Sequence, residues 1–221
     1  MLPRARTILL AIGLVLGFAS VVHAGNTNVN RGVVVWAGYG ALYVAEEKGF
    51  FGRYGLDVEL VNFTDNAAMP PAVYSGAVDA AALTYDQVIG AVAKGWPLRV
   101  VIPLDYSAGG DAIVATSDIG SVAEIKGQKV AYAPLSPSDF LLGYALAANG
   151  LGEADIEHVP TSAEGVPAML LGGSVKVGVT YEPNVSAIVK GGGAAKYHVI
   201  LSTREAKGII TDVLVARDDV I

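Results

Sequence analysis

The chain has no cysteine, only three histidines, and charged side chains at just 16% of its 221 positions. Without cysteine there is neither a disulfide scaffold nor a thiolate-ligated zinc or iron–sulfur site. Two of the histidines, His158 and His198, lie beyond residue 24, and neither sits in a Gly-x-Ser-x-Gly or His-Glu-x-x-His context. No Walker loop is present. Bases number 15 against 21 acids, for a net charge of −6 and a pI near 5.0. Such a chain lacks the positive field from which nucleic-acid binding draws its counterion-release energy. What is abundant is apolar surface, at 52% of residues. A chain of this length buries roughly 70% of the surface its unfolded form exposes, so packing alone can hold it together.

The first 24 residues differ from the rest. Arg4 and Arg6 precede the uncharged run Thr7–Val22, and Val22-His23-Ala24 places a valine at −3 and a small residue at −1 of a cleavage site. This pattern predicts a secretory signal peptide over 1–24. Residue 25 is Gly and no Cys follows, so a lipoprotein anchor is not expected. Losing Arg4 and Arg6 leaves 13 bases against 21 acids, or −8. No later stretch reaches 18 uninterrupted apolar residues. The expected location is the periplasm.

From residue 28 onward, β-rich runs alternate with amphipathic stretches. Expected strands are 33–36, 56–61, 78–83 and 98–103, separated by helices over 41–48, 66–75 and 84–93. This spacing predicts right-handed βαβ units and a mainly parallel sheet covered on both faces. The run Asp111–Ala115 breaks the rhythm, which resumes with strands at 129–133, 156–159, 175–180 and 197–201 and helices at 138–148, 166–171 and 185–190. Thr211–Ala216 has the same character as Asp111–Ala115, and both fall where the chain would pass between two lobes. The expectation is therefore an α/β protein of two lobes, joined by two hinge strands. The first lobe takes residues 25–110 and 207–221, and the second takes 111–206.

Several corners carry polar groups. Gly38-Tyr39-Gly40 after a strand resembles the opening of a dinucleotide fingerprint, but Tyr43 stands where the third glycine belongs. A tight strand-to-helix turn is the better reading. Ser136-Pro137-Ser138-Asp139 opens a helix, where the two hydroxyls either cap it or hold a ligand oxygen. Thr64-Asp65-Asn66, Thr84-Tyr85-Asp86 and Thr180-Tyr181-Glu182 each end a strand and start a helix. In open α/β sheets, corners of this kind converge on one crevice beyond the carboxyl ends of the strands. Asp105 and Asp111 form a conceivable acid–base pair, yet no nucleophile, metal cluster or cofactor motif accompanies them, so no enzyme is expected.

The run Val35-Trp36-x-Gly38-Tyr39-Gly40-x-Leu42-Tyr43-Val44-Ala45-x-Glu47-Lys48-Gly49-Phe50-Phe51, through Gly55-Leu56-Asp57-Val58, resembles the start of the nitrate/sulfonate/taurine class of ABC-transporter substrate-binding proteins. The likeness continues through Ser75-Gly76, Asp111–Ala115, Ile125-Lys126-Gly127, Phe140-Leu141-Leu142, Tyr181-Glu182-Pro183 and Asp212–Val215. It covers nearly all of 33–221. It implies the type II periplasmic binding protein fold, a ligand held between the lobes, closure on binding, and delivery to an inner-membrane permease with its ATPase. A monomer with no cofactor, metal or nucleic-acid partner is expected. The class usually carries Trp before Glu-Pro where this chain has Tyr181, and it continues beyond Ile221, so the chain reads as truncated with an apolar face of the first lobe uncovered.

The candidate ligand-binding residues are Tyr39, Thr64, Asp65, Thr84, Tyr85, Asp111, Ser136, Ser138, Tyr181, Glu182 and Asp212, with no Lys or Arg among them. A taurine-like sulfonate is the expected ligand, its oxygens on the Ser136 helix and its ammonium against Asp111 or Glu182. A pyrimidine of the thiamine-precursor kind, or another amine, is the alternative. A hydrolase in the same cleft and a ligand-sensing partner of a membrane signalling protein are the other classes considered.

Overall fold

The computed structural model describes residues 26–221; the expected signal peptide lies outside the described residues. Ten strands form two five-stranded sheets. The first sheet contains β1 (Thr27–Val33), β2 (Leu56–Asn62), β3 (Ala80–Thr84), β4 (Leu98–Tyr106) and β10 (Thr211–Arg217), in the order β2-β1-β3-β10-β4. The second contains β5 (Asp111–Thr116), β6 (Lys129–Tyr132), β7 (Glu157–Pro160), β8 (Val177–Tyr181) and β9 (Tyr197–Ser202), in the order β7-β6-β8-β5-β9. Helices α1 (Gly40–Glu47), α2 (Met69–Ser75) and α3 (Tyr85–Ala93) belong to the first lobe, and α4 (Pro137–Ala148), α5 (Val166–Leu171) and α6 (Asn184–Gly192) to the second. The architecture is the expected mixed α/β fold with mainly parallel sheets.

Each sheet has one antiparallel strand, and in each it is the strand next to the edge. In the first sheet β10 lies between β3 and β4 and runs against both. In the second β5 lies between β8 and β9 and runs against both. The two strands expected to cross between the lobes thus each belong wholly to one sheet. The crossings are the short segments before them, 107–110 and 203–210. They lie side by side: the Ser107 N–H donates to Ile210 O at 2.9 Å, the Thr203 N–H donates to Asp111 O at 3.0 Å, and the Ser107 and Thr203 hydroxyls meet at 2.8 Å.

β3 (Ala80–Thr84) and β8 are buried at every residue, as strands covered on both faces must be. The core of the second lobe has two parts. α4 packs Leu141, Leu142, Ala145 and Leu146 with Ile113 and Val179. Leu170 of α5 and Ile188 of α6 pack with Ala112, Val114 and Ala131. A side chain at Gly178 on β8 would meet Val166 Cγ1 at 2.5 Å, which explains why the strand carries glycine under α5. The core of the first lobe joins Val33, Met69, Val73, Leu83, Val88 and Val215. On its edge strand β4, Val101 and Ile102 are each more than half exposed.

Two expected elements shift. The first strand was expected at 33–36 but runs from Thr27 to Val33, paired in register with Leu56–Asn62. Its outer half is polar and exposed, so no apolar run announces it. The expected helix over 66–75 divides into a 3₁₀ turn (Asn66–Ala68) and α2, whose first turn holds Pro70 and Pro71.

The Gly178→Ala substitution should therefore destabilise the protein by about 1–3 kcal/mol through overpacking. Urea unfolding should show a lower midpoint with an unchanged slope.

Candidate functional site

Where the chain crosses between the sheets, a narrow cleft encloses a cavity of ≈ 20 Å³, about the room of one water molecule. Its walls carry Trp36, Tyr39, Asn66, Thr84, Gln87 and Asp212 from the first lobe, and Asp111, Pro137 and Tyr181 from the second; Val34, Met69 and Ile210 supply apolar surface. No Lys or Arg is among them.

The polar groups are fixed by the strand ends. Asp212, at the start of β10, is the register partner of Thr84 on one side and of Asp105 on the other. The Tyr39 hydroxyl donates to Asp212 Oδ1 at 2.5 Å. The Trp36 indole N–H donates to Asp105 Oδ2 at 3.1 Å, and its ring meets Tyr181 edge-on with centroids 5.9 Å apart. Two glycines make room for this indole. A methyl group on Gly38 would overlap the Asp105 carboxylate, and one on Gly110 would come 2.5 Å from the indole. The Gly38-Tyr39 pair therefore serves a close approach of side chains, in a 3₁₀ turn leading into α1, and the dinucleotide likeness has no further content.

Gln87 ties the wall together. Its Oε1 accepts from the Thr84 N–H and hydroxyl at 3.3 and 3.2 Å, the capping box of α3. Its Nε2 donates to Asn66 O at 2.9 Å and, across the cleft, to Leu135 O at 3.4 Å. Asn66 Nδ2 also reaches across, donating to the Tyr181 hydroxyl at 3.4 Å. Leu135 has φ +54°, a left-handed conformation uncommon outside glycine, and its N–H donates to Asp139 Oδ2 at 2.8 Å.

Burial dominates the electrostatics. It lifts Asp212 to about 8, helped by neighbouring Asp105 and Asp111 and opposed by the Tyr39 hydrogen bond. Burial lifts Asp111 to about 6, with Ser107 opposing and Asp86 and Asp105 adding to the rise. Tyr181 is pushed up to about 12 by burial, and Tyr39 well above the usual phenol range by burial and by Asp212. These shifts describe a buried acidic pocket without a resident counter-charge. Among the described residues, no group of three or more His, Asp or Glu side chains is placed to hold a metal ion.

Of the residues singled out from the sequence, the structure brings together Tyr39, Thr84, Asp111, Tyr181 and Asp212. The others lie elsewhere. Thr64 and Asp65 are exposed, and the Asp65 carboxylate accepts from the Ala67 N–H at 2.9 Å as a cap. Tyr85 is half exposed at the start of α3. Glu182 accepts from the Ser186 N–H and hydroxyl, both at 3.0 Å, on α6. Ser136 caps α4, accepting from the Ser138 N–H at 3.2 Å and donating to Ala133 O at 2.7 Å. Together with Asp86, Ser136 faces a separate groove between α3 and α4. Ser138 is fully buried, and its hydroxyl has no partner among the described residues. Ser136 thus serves as the cap of α4, its hydroxyl engaged by Ser138 N–H and Ala133 O. Trp36, Asn66 and Gln87 line the cleft without being among the binding candidates drawn from the sequence, and Asp105, considered there only as an acid–base partner of Asp111, stands behind Trp36. Only Gln87 left a direct signal, the Thr84-x-x-Gln87 capping box.

A family model described as NMT1/THI5 like matches residues 36–221. The chain belongs to the NMT1/THI5-like family. A Haemophilus influenzae protein bearing a thiamine-biosynthesis name is 33% identical to this NMT1/THI5-like chain over 135 residues, covering 61% of the chain and 43% of the relative. The chain thus spans less than half the length of that relative. Among solved structures, the periplasmic aliphatic sulphonate binding protein SsuA of Escherichia coli superposes with a TM-score of 0.73 at 23% identity, over 89% of this chain and 67% of SsuA. The alkanesulfonate-binding SsuA of Xanthomonas axonopodis pv. citri, solved with MOPS, gives 0.74 at 19% identity over the same shares. At these identities the likeness establishes the fold alone, the type II periplasmic binding protein fold. These neighbours are solute-binding proteins. No helix among the described residues is long and apolar enough to cross a membrane.

Replacing Gln87 by Leu removes its hydrogen bonds at nearly constant volume and leaves the Asn66 carbonyl without that donor. A loss of about 1–3 kcal/mol is expected, read as a lower urea midpoint. Replacing Tyr39 by Phe removes the bond that holds Asp212 down, so the Asp212 carboxyl should titrate above 8, read by carboxyl-carbon NMR.

Proposed function

We propose that this NMT1/THI5-like chain is the periplasmic receptor of an ABC importer, and that it carries a small amine-bearing ligand, with a flat heteroaromatic amine of the pyrimidine kind as the best fit. The observation that carries this reading is the composition of the cleft. Asp111 and Asp212 line it and Asp105 stands behind Trp36, with no base to balance them. An ammonium or amidinium group supplies the missing positive charge and donates to these oxygens. Trp36 and Tyr181 offer aromatic surface for a flat ring. The thiamine-biosynthesis name of the Haemophilus relative supports the same class.

A taurine-like sulfonate meets only half of these requirements. Its ammonium suits Asp111, but Ser136 and Ser138 do not line the cleft, and no base is there for its sulfonate. Nitrate or sulfate meets neither half. The two lobes close on the ligand by bending at 107–110 and 203–210, and the closed form docks on an inner-membrane permease with its ATPase. The receptor acts as a monomer.

A thermal-shift screen against aminopyrimidines, alkylamines, taurine, alkanesulfonates and nitrate tests the proposal. A ligand at 100 times its dissociation constant adds about 2.7 kcal/mol and raises the midpoint by roughly 5–10 °C. The expected response is to the amines, and the Asp111→Asn variant should lose it while still melting cooperatively. A shift with sulfonates alone would replace the amine reading with the sulfonate one.

A further inference from the structure

Asp105 and Asp212 are register partners on the adjacent antiparallel strands β4 and β10. Like charges directly opposite one another on a sheet repel, and two carboxylates sharing a desolvated site do not both ionise readily. The hydrogen bonds reveal how their oxygens are served. Asp105 Oδ2 accepts from the Trp36 indole, and Asp212 Oδ1 accepts from the Tyr39 hydroxyl. Asp105 Oδ1 is buried and has no donor among the described residues. A proton on Asp212 directed at that oxygen supplies the missing donor and removes one of the two charges.

We infer that the empty cleft stores one proton on the Asp105–Asp212 pair, and that a cationic ligand binds by displacing it. The inference rests on the amine reading of the ligand. In the exchange no covalent bond other than the O–H changes: the cation enters, Asp212 becomes a carboxylate, and the proton leaves to solvent. The other titratable groups facing the pair are consistent with this. Tyr39, from the turn before α1, donates to Asp212 and favours its ionised form; Asp111, from β5, favours the protonated form. Tyr181 adds a neutral phenol from the second lobe. On the outer side, Tyr106 and Lys207 share a surface groove with Asp105, where the exposed Lys207 is screened by solvent. The net result for Asp212, about 8, leaves the proton in place at neutral pH.

Two consequences are measurable. The first needs no ligand. An unfolded Asp titrates near 3.9, while Asp212 in the folded chain holds its proton up to about 8. Between these values the unfolded state binds fewer protons, so stability falls as pH rises. Asp111 contributes to the same fall up to about 6. The window from pH 6 to 8 is therefore diagnostic: the melting midpoint of the wild type should keep falling there, and that of Asp212→Asn, whose amide still offers a donor to Asp105, should stay level. Equal slopes in the two proteins would overturn the inference.

The second uses N-methylpyridinium and benzamidinium, whose charges do not change in this range. Calorimetric titration at pH 7 in two buffers of different ionisation enthalpy should report close to one proton released per cation bound. Affinity should rise by up to about tenfold per pH unit below pH 8. Cation binding without proton release would overturn the exchange and leave the amine reading standing. Failure of both cations to bind, with the pH 6–8 fall intact, would overturn the amine reading, and the exchange with it.

Discussion

The placement of β10 is the constraint on which the rest of the molecule depends. This strand follows the whole second lobe in the chain, yet it completes the first sheet by inserting between β3 and β4. Its insertion brings the chain back beside the outgoing crossing, so that 107–110 and 203–210 run together and share hydrogen bonds. It also decides the chemistry of the cleft. Asp212 stands at the first turn of the ladder with Thr84 on one side and Asp105 on the other, a position that no local sequence preference would favour.

Around that position the wall is built from groups that answer to one another. The Trp36 indole fits because Gly38 and Gly110 present no side chains to it, and its N–H occupies one oxygen of Asp105. Gln87 spends its amide on the start of α3 and on two carbonyls, one in each lobe. The spanning contacts are few and long, at 3.4 Å, compared with the short bonds that join the two crossings. The contact between the lobes is thus weak at the cleft mouth and firm at its base.

Much of the fold was legible in the sequence. Runs such as Ala80–Thr84 and Val177–Tyr181 are apolar enough to mark strands buried on both faces, and glycines after the helices marked their ends. β1 was displaced because half of it is polar and exposed, so its pairing, not its composition, defines it. β4 was expected to stop at Pro103, but it is an edge strand, paired only with β10, where a proline is tolerated. That shortening leaves Asp105 outside the expected strand, so its partnership with Asp212 does not show in the sequence. The site itself was less legible. A Ser, Thr or Asp before a helix looks the same whether it caps the helix or faces a ligand, and here Asp65, Ser136 and Glu182 cap. The partnership of Asp212 with Asp105 and Tyr39 joins residues 107 and 173 positions apart, a distance across which local patterns carry no information.

The route of the chain also sets an order of assembly. The second lobe is contiguous, with all five of its strands between Asp111 and Ser202, so it can close its sheet from local pieces. The first lobe cannot: until Thr211–Arg217 arrives, β3 and β4 stand apart with a strand-wide gap between them. Chain segments emerge in sequence order, and pairings of long sequence separation form late. The lobe made first is therefore finished last, and throughout that interval it presents two open strand edges. A chain in this state is a natural client for the holding chaperones that shield unpaired edges.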